Sequence, residues 1–224
     1  MMTTVRTTTK QLAAVAEEVT ALFEGVFTQV EGMRQALLEH FAAGRPDAER
    51  VGSVVHPLAS ALLDEGLVLG CGYVAARDAL ADRSLYLAWW QGESQQLLGQ
   101  ADAPAGDPLD YTRREWFRVP ETTGVRHVTG PYVDYVCTDE YVVTSTIPVV
   151  SDGQMVGIVG ADILVETLEE RLLDSLRVAG ATLIAESGRV IASADAHLAA
   201  GTLLEVDADR ERVACGSLPL AVIA

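Results

Sequence analysis

The densest cluster of groups suited to small-molecule recognition is Tyr111-Thr112-Arg113-Arg114-Glu115-Trp116-Phe117, followed by Gly130-Pro131-Tyr132-Val133-Asp134-Tyr135. Together these segments offer guanidinium, indole and phenol groups beside a carboxylate. An arginine pairs bidentately with a carboxylate, while an aspartate and aromatic faces hold an ammonium group. Both halves together suit a zwitterion. Arg114 and Trp116 stand two apart, so an extended segment points both to one face, and Tyr132 and Asp134 share that relation. The competing reading is a structural arginine–aspartate ion pair set among core aromatics.

Enzyme signatures do not compete with this cluster. The sequence has no GxSxG, GxxxxGK[ST] or HExxH, and no GxGxxG after a strand. The histidines, His40, His56, His127 and His197, are scattered, and none has a ligand partner at metal-binding spacing. No metal or cofactor is expected. An enzyme would have to rely on His127 with a nearby carboxylate as its acid–base pair. Cys71, Cys137 and Cys215 are odd in number and far apart, which argues against a disulfide framework or zinc site. Cys71 and Cys137 fall in apolar, strand-like runs and are expected to be buried thiols.

The formal charge of −16 disfavours nucleic acid, whose phosphates need clustered Lys and Arg. Spread along the chain, the acidity serves solubility. The N-terminus lacks a hydrophobic signal core, and no apolar run reaches the roughly 18 residues needed to span a bilayer. A soluble, cytoplasmic protein that does not engage a membrane is the expectation.

Positioning the cluster requires a scaffold, and the hydrophobic pattern supplies one of the α+β class. Leu12, Val15, Val19, Leu22, Val26, Val30, Met33, Leu37 and Phe41 mark one face of a helix about 45 Å long. That stripe can cover the protein's own sheet or pack against a second copy in a homodimer. A second helix carries Val51, Val54, Val55, Leu58, Leu62 and Leu63 and closes at Gly66. Strands are expected over Leu67–Ala76, Leu85–Trp90, Val125–Thr129, Tyr141–Val150 and Met155–Asp162, the last two joined by the hairpin turn Ser151-Asp152-Gly153-Gln154. A loop spans Asp102–Pro108, and Asp139-Glu140 marks a turn. A helix over Leu164–Val178 is capped by Gly180, and short strands follow at Thr182–Glu186, Val190–Ser193 and Arg212–Ala224. The chain thus divides into N-terminal helices (1–66), a main lobe (67–165) and a smaller second lobe (166–224). The layout is antiparallel sheets with helices packed on them.

Three segments carry a family resemblance. Arg114-Glu115-Trp116-Phe117, Gly130-Pro131-Tyr132-Val133-Asp134 and the run Thr144–Pro148, Asp152-Gly153, Gly157–Asp162 resemble the double Cache sensor domains of bacterial chemoreceptors and histidine kinases, which have a PAS-like fold. The resemblance is strong over roughly residues 110–165. It implies a two-lobed sensor whose ligand enters the larger lobe. Arg114 and Trp116 then resemble carboxylate-side ligands, and Tyr132, Asp134 and Asp162 the amine-side group. Phe117 stands where a tyrosine is usual, and Leu109 where a further tyrosine often precedes the motif, with Tyr111 a possible substitute. Trp89 or Trp90 would add an aromatic wall.

The function so implied is a non-enzymatic small-molecule sensor for an amino acid, amine or small carboxylate. Occupancy would be relayed through a homodimer or to a partner such as a transcription regulator. The alternatives are a scaffold whose pocket is filled by its own side chains and an enzyme using the same pocket.

Overall fold

The computed structural model describes residues 2–92, 96–98, 110–135, 140–205 and 210–224. Leu109, Cys137, Asp139 and the Asp102–Pro108 loop lie outside the described residues. The chain opens with α1 (Met2–Phe41) and α2 (Ala48–Asp64), then β1 (Gly70–Ala75), β2 (Leu87–Gln91) and β3 (Gln96–Leu98). A 3-10 turn (Tyr111–Arg113) leads into α3 (Glu115–Thr123), β4 (His127–Val133), β5 (Tyr141–Ser151) and β6 (Gln154–Leu164). The second lobe holds α4 (Val165–Ala179), β7 (Thr182–Ala185), β8 (Val190–Ser193), β9 (Arg212–Ala214) and β10 (Leu220–Ile223). Two antiparallel sheets result, ordered β3-β2-β1-β6-β5-β4 and β8-β7-β10-β9. The α+β expectation is met.

The first helix is longer than expected, 40 residues and so about 60 Å. Its apolar stripe packs within the chain, with Phe23 rather than the half-buried Leu22 as the fully buried member of that turn. Leu12, Val15, Val19, Phe23, Val26, Val30, Met33, Leu37 and Phe41 are all buried, and the helix packs on β5, β6, α2, α4 and the β9–β10 edge. Packing against its own sheets is therefore the outcome for the described part of the stripe. Two helix boundaries have plain local causes. Asp47 caps α2 by accepting from the Arg50 N–H, and Gly180 ends α4 in the left-handed region, where glycine has no Cβ penalty.

Three expectations are corrected and one strand is added. The segment after Arg114 is not extended, because α3 starts at Glu115 and runs to a left-handed Gly124, burying Trp116, Phe117 and Pro120 along one face. Arg114 alone keeps extended backbone, as the residue preceding that helix. The strand expected over Val125–Thr129 instead starts at His127 and continues to Val133, with a register shift between Thr129 and Tyr132. The final strand is two, since Gly216, at φ +59°, turns the chain between β9 and β10. A further edge strand, β3, pairs with β2.

Sheet alternation assigns the large sheet two faces. Cys71, Tyr73, Ala75, Val143, Val159, Ala161 and Ile163 belong to the core shared with α1, α2 and α4. Val74, Leu87, Trp89 and Ile158 belong to a second core beneath α3, with Tyr111, Trp116 and Phe117. Cys71 and Cys215 are buried free thiols, each pushed up to about 12 by burial. The two faces depend on close strand approach. A Cβ on Gly72 would lie 2.0 Å from the Ala88 carbonyl oxygen and 2.9 Å from the Trp89 Cα. Gly72→Ala therefore forces β1 and β2 apart and is expected to cost about 1–3 kcal/mol, the usual penalty of overpacking. Denaturant midpoints read this directly, and an unchanged midpoint contradicts it.

Candidate functional site

The α3 face of the large sheet carries a polar stripe. Across the strands, Gln91, Gly70, Asp162, Thr144 and Thr129 stand side by side, and the adjacent level runs Trp89, Gly72, Gly160, Thr146 and His127. Asp162 projects from β6 and is 1% exposed; Asp134 follows β4 and is 3% exposed. Gly130 prepares the placement of Tyr132 and Asp134. Its φ of +127° lies in the region that favours glycine, and a Cβ there would meet the Val142 carbonyl oxygen at 2.8 Å.

Val74, Trp89, Trp116, Tyr132, Asp134 and Thr144 enclose, with Asp162, a cavity of about 10 Å³. The Thr144 hydroxyl donates to Asp162 Oδ1 at 2.6 Å, and the Tyr132 hydroxyl lies 2.6 Å from Thr144 Oγ1. Burial, then the nearby Asp134 charge, pushes the Asp162 carboxyl from the ordinary 3.8 up to about 8, against the lowering effect of Thr144. Asp162 is accordingly neutral at pH 7. The indole N–H groups of Trp89 and Trp116 and the Thr129 and Thr146 hydroxyls are buried with no hydrogen-bond partner among the described residues. Buried polar groups are rarely left so, and each costs about 1–3 kcal/mol unpaired. A cavity with a protonated Asp162 carboxyl beside Asp134, and two unused indole donors, is matched to a ligand bearing both a cation and hydrogen-bond acceptors.

The candidates from the sequence divide into three groups. Trp89, Trp116, Tyr132, Asp134 and Asp162 come together around the cavity. Arg114 is exposed and lines a neighbouring cleft of about 820 Å³ between the lobes, whose far side is formed by Ala185–Ser187, Arg189 and Pro219. Trp116 and Tyr132 line both spaces and so form the wall between them. Phe117 and Tyr111 line neither. Phe117 is fully buried with its ring 5.6 Å from that of Tyr111. The Tyr111 hydroxyl donates to the Ala75 carbonyl and accepts from the Tyr86 N–H, tying the 3-10 turn to β1. Trp90 points to the opposite core and stacks on His56. Thr144 and Val74 were not singled out in the sequence.

The acid–base pair that an enzyme would need also exists. His127 Nε2 lies 3.1 Å from Glu115 Oε1, which holds the Glu115 carboxyl below its usual range. The pair sits on the cleft wall, outside the closed cavity. No group of three or more metal-ligating side chains occurs among the described residues. No helix there is long and apolar enough to cross a membrane.

The long N-terminal helix and two antiparallel sheets share the fold of PDC, or Cache, ligand-binding domains. Residues 74–170 match the family model of the methyl-accepting chemotaxis protein-like, first PDC sensor domain. Solved structures extend the likeness in fold to nearly the whole chain. The ligand-binding domain of the Pseudomonas fluorescens chemoreceptor CtaA, in complex with L-valine, is 18% identical with a TM-score of 0.68, covering 100% of this chain and 97% of that one. That of the Pseudomonas aeruginosa amino acid chemoreceptor PctC, in complex with GABA, is 20% identical with a TM-score of 0.62, covering 96% and 97%. The Campylobacter jejuni chemoreceptor Tlp3 domain, in complex with L-valine, is 18% identical with a TM-score of 0.63, covering 93% and 77%.

Proposed function

We propose that this chain is a non-enzymatic sensor of a small ammonium-bearing molecule, an amino acid in the first instance, held in the main lobe. The observation that carries the reading is the buried Asp134–Asp162 pair beside two unpartnered indole donors in one cavity. The ammonium replaces the proton that keeps Asp162 neutral. The carboxylate faces the Trp116 indole N–H and the Arg114 side of the wall. Domains of the same fold in complex with valine and GABA support this class of ligand.

Relay needs a structural difference between empty and occupied states, for which ligand affinity must differ. A cavity of about 10 Å³ takes no more than one water, so an amino acid enters only as Trp116 and Tyr132 yield toward the cleft. The helix α1 touches the β5 and β6 strands of the main lobe and the β9–β10 edge of the second, so it is the element through which such a shift reaches a partner or second copy.

The test is a thermal-shift screen against amino acids, amines and small carboxylates, with calorimetry on hits in two buffers of different ionisation enthalpy. A native-state ligand at a hundredfold excess over its dissociation constant stabilises by about 2.7 kcal/mol. Ammonium ligands are expected to shift the melting temperature and, below pH 8, to release a proton from Asp162. The small cavity also favours a second reading, a scaffold whose pocket is filled by its own indoles. A flat screen across all three ligand classes decides for that scaffold.

A further inference from the structure

We infer that Trp89 is a specificity-determining residue of the main-lobe site. It admits zwitterions unbranched at the ammonium-bearing carbon, such as glycine, β-alanine or 4-aminobutyrate, and rejects bulky α-amino acids. The inference rests on the reading of the cavity as an ammonium site.

The argument begins with two glycines. In an ordinary sheet, residues at the positions of Gly70 and Gly160 would fill the α3 face with side chains. Here a Cβ on Gly70 would lie 2.6 Å from Trp89 Nε1, and one on Gly160 would lie 3.5 Å from Trp89 Cη2. The pyrrole edge of the indole therefore rests over Gly70 and its benzene edge over Gly160. The side chain lies flat across β1 and reaches β6.

Gly70 is the direct cross-strand neighbour of Asp162. The indole thus forms the floor immediately beside the carboxyl that receives the ammonium. Trp89 is 3% exposed, and its backbone is held so close to β1 that even a methyl group on Gly72 would collide with it. This floor does not yield. On the opposite side, Trp116 and Tyr132 have the cleft behind them and do have room to move. A ligand anchored at Asp162 can extend as a linear chain toward the cleft and Arg114. A branch on its ammonium-bearing carbon meets the indole.

The experiment measures affinities of glycine, β-alanine, 4-aminobutyrate, leucine and phenylalanine for the wild type, Trp89→Phe and Trp89→Ala. A misfit of one or more methylenes is worth about 10–200-fold in such a pocket. The wild type is expected to prefer the unbranched set by at least about tenfold, and Trp89→Phe, which retains a flat ring, to keep that ratio. Trp89→Ala opens space on the order of 150 Å³, enough for a benzene-sized guest, and is expected to erase or invert the ratio. Should Trp89→Ala not fold, Trp89→Leu is expected to move the ratio in the same direction by less.

The inference is overturned if the wild type binds leucine or phenylalanine as tightly as the unbranched set, or if the ratio is unchanged in the folded small variant. Binding of none of the five to any of the proteins is a different failure. It removes the ammonium site and the role of Trp89 with it.

Discussion

Asp162→Asn raises the melting temperature of the ligand-free protein at pH 7 and abolishes its response to ammonium ligands. The carboxyl is fully buried and pushed from 3.8 up to about 8, so at pH 7 the folded state must hold a proton that the unfolded state has released. Proton uptake of that size costs on the order of 4 kcal/mol at pH 7. Asparagine is neutral and nearly isosteric, and its carbonyl oxygen still accepts from Thr144. The cost disappears, and the melting temperature is expected to rise by roughly 5 °C or more for a chain of this size.

The sign of the pH dependence follows from the same shift. A carboxyl whose folded value is raised contributes stability that is complete below the unfolded value near 4 and is lost as the pH rises through 8. Wild-type stability from this group therefore declines between pH 4 and 8, and the variant lacks that component. Melting curves at pH 5, 7 and 9 for both proteins test it, and parallel profiles contradict the assignment. On the ammonium reading, the stability given up at Asp162 in the empty site is what binding recovers.

The parts of the site that were legible lie on segments with strong local signals. Tyr132 and Asp134 stand out by composition, and Asp162 lies near the end of the strand that follows a recognisable Asp152-Gly153 turn. Thr144 was hidden for a geometric reason. Counting back from the Ser151–Gln154 turn places Val143 opposite Asp162. A one-residue bulge at Val156, between the Val150–Met155 and Val149–Gly157 pairs, moves the register so that Thr144 stands there instead. Because strand side chains alternate, that single step decides whether a hydroxyl or an isopropyl group meets the carboxyl.

Arg114 and Trp116 were misplaced through the same kind of ambiguity. A spacing of two reads as one face of a strand, whereas the helix is marked by Trp116 and Pro120, four apart, and by Gly124 as its stop. Pro120 inside the pattern works against reading a helix at all. The stripe on α1 was clear, but an apolar stripe does not name what covers it. Here the β5, β6 and β9–β10 elements do, a long-range arrangement that no local pattern encodes.

The corrected position of Arg114 leads to an unequal division of binding energy between the two ends of a zwitterion. Asp134 is buried against Asp162, so an ammonium that enters between them is stripped of water and relies on both carboxyls. Removing one partner of a buried charge pair costs about 3–5 kcal/mol. Asp134→Ala is therefore expected to weaken amino acids and amines by at least about 100-fold, while carboxylates lacking an amine lose little. Arg114 is exposed on the cleft, where water screens its charge, and an exposed ion pair is worth about 0.2–1 kcal/mol. Arg114→Ala is expected to weaken amino acids by less than about tenfold and simple amines not at all. Calorimetry with one amino acid, its decarboxylated amine and its deaminated acid separates the two effects. Equal losses in both variants would place the guanidinium inside the desolvated site and return the carboxylate end to the weight that the motif alone suggests.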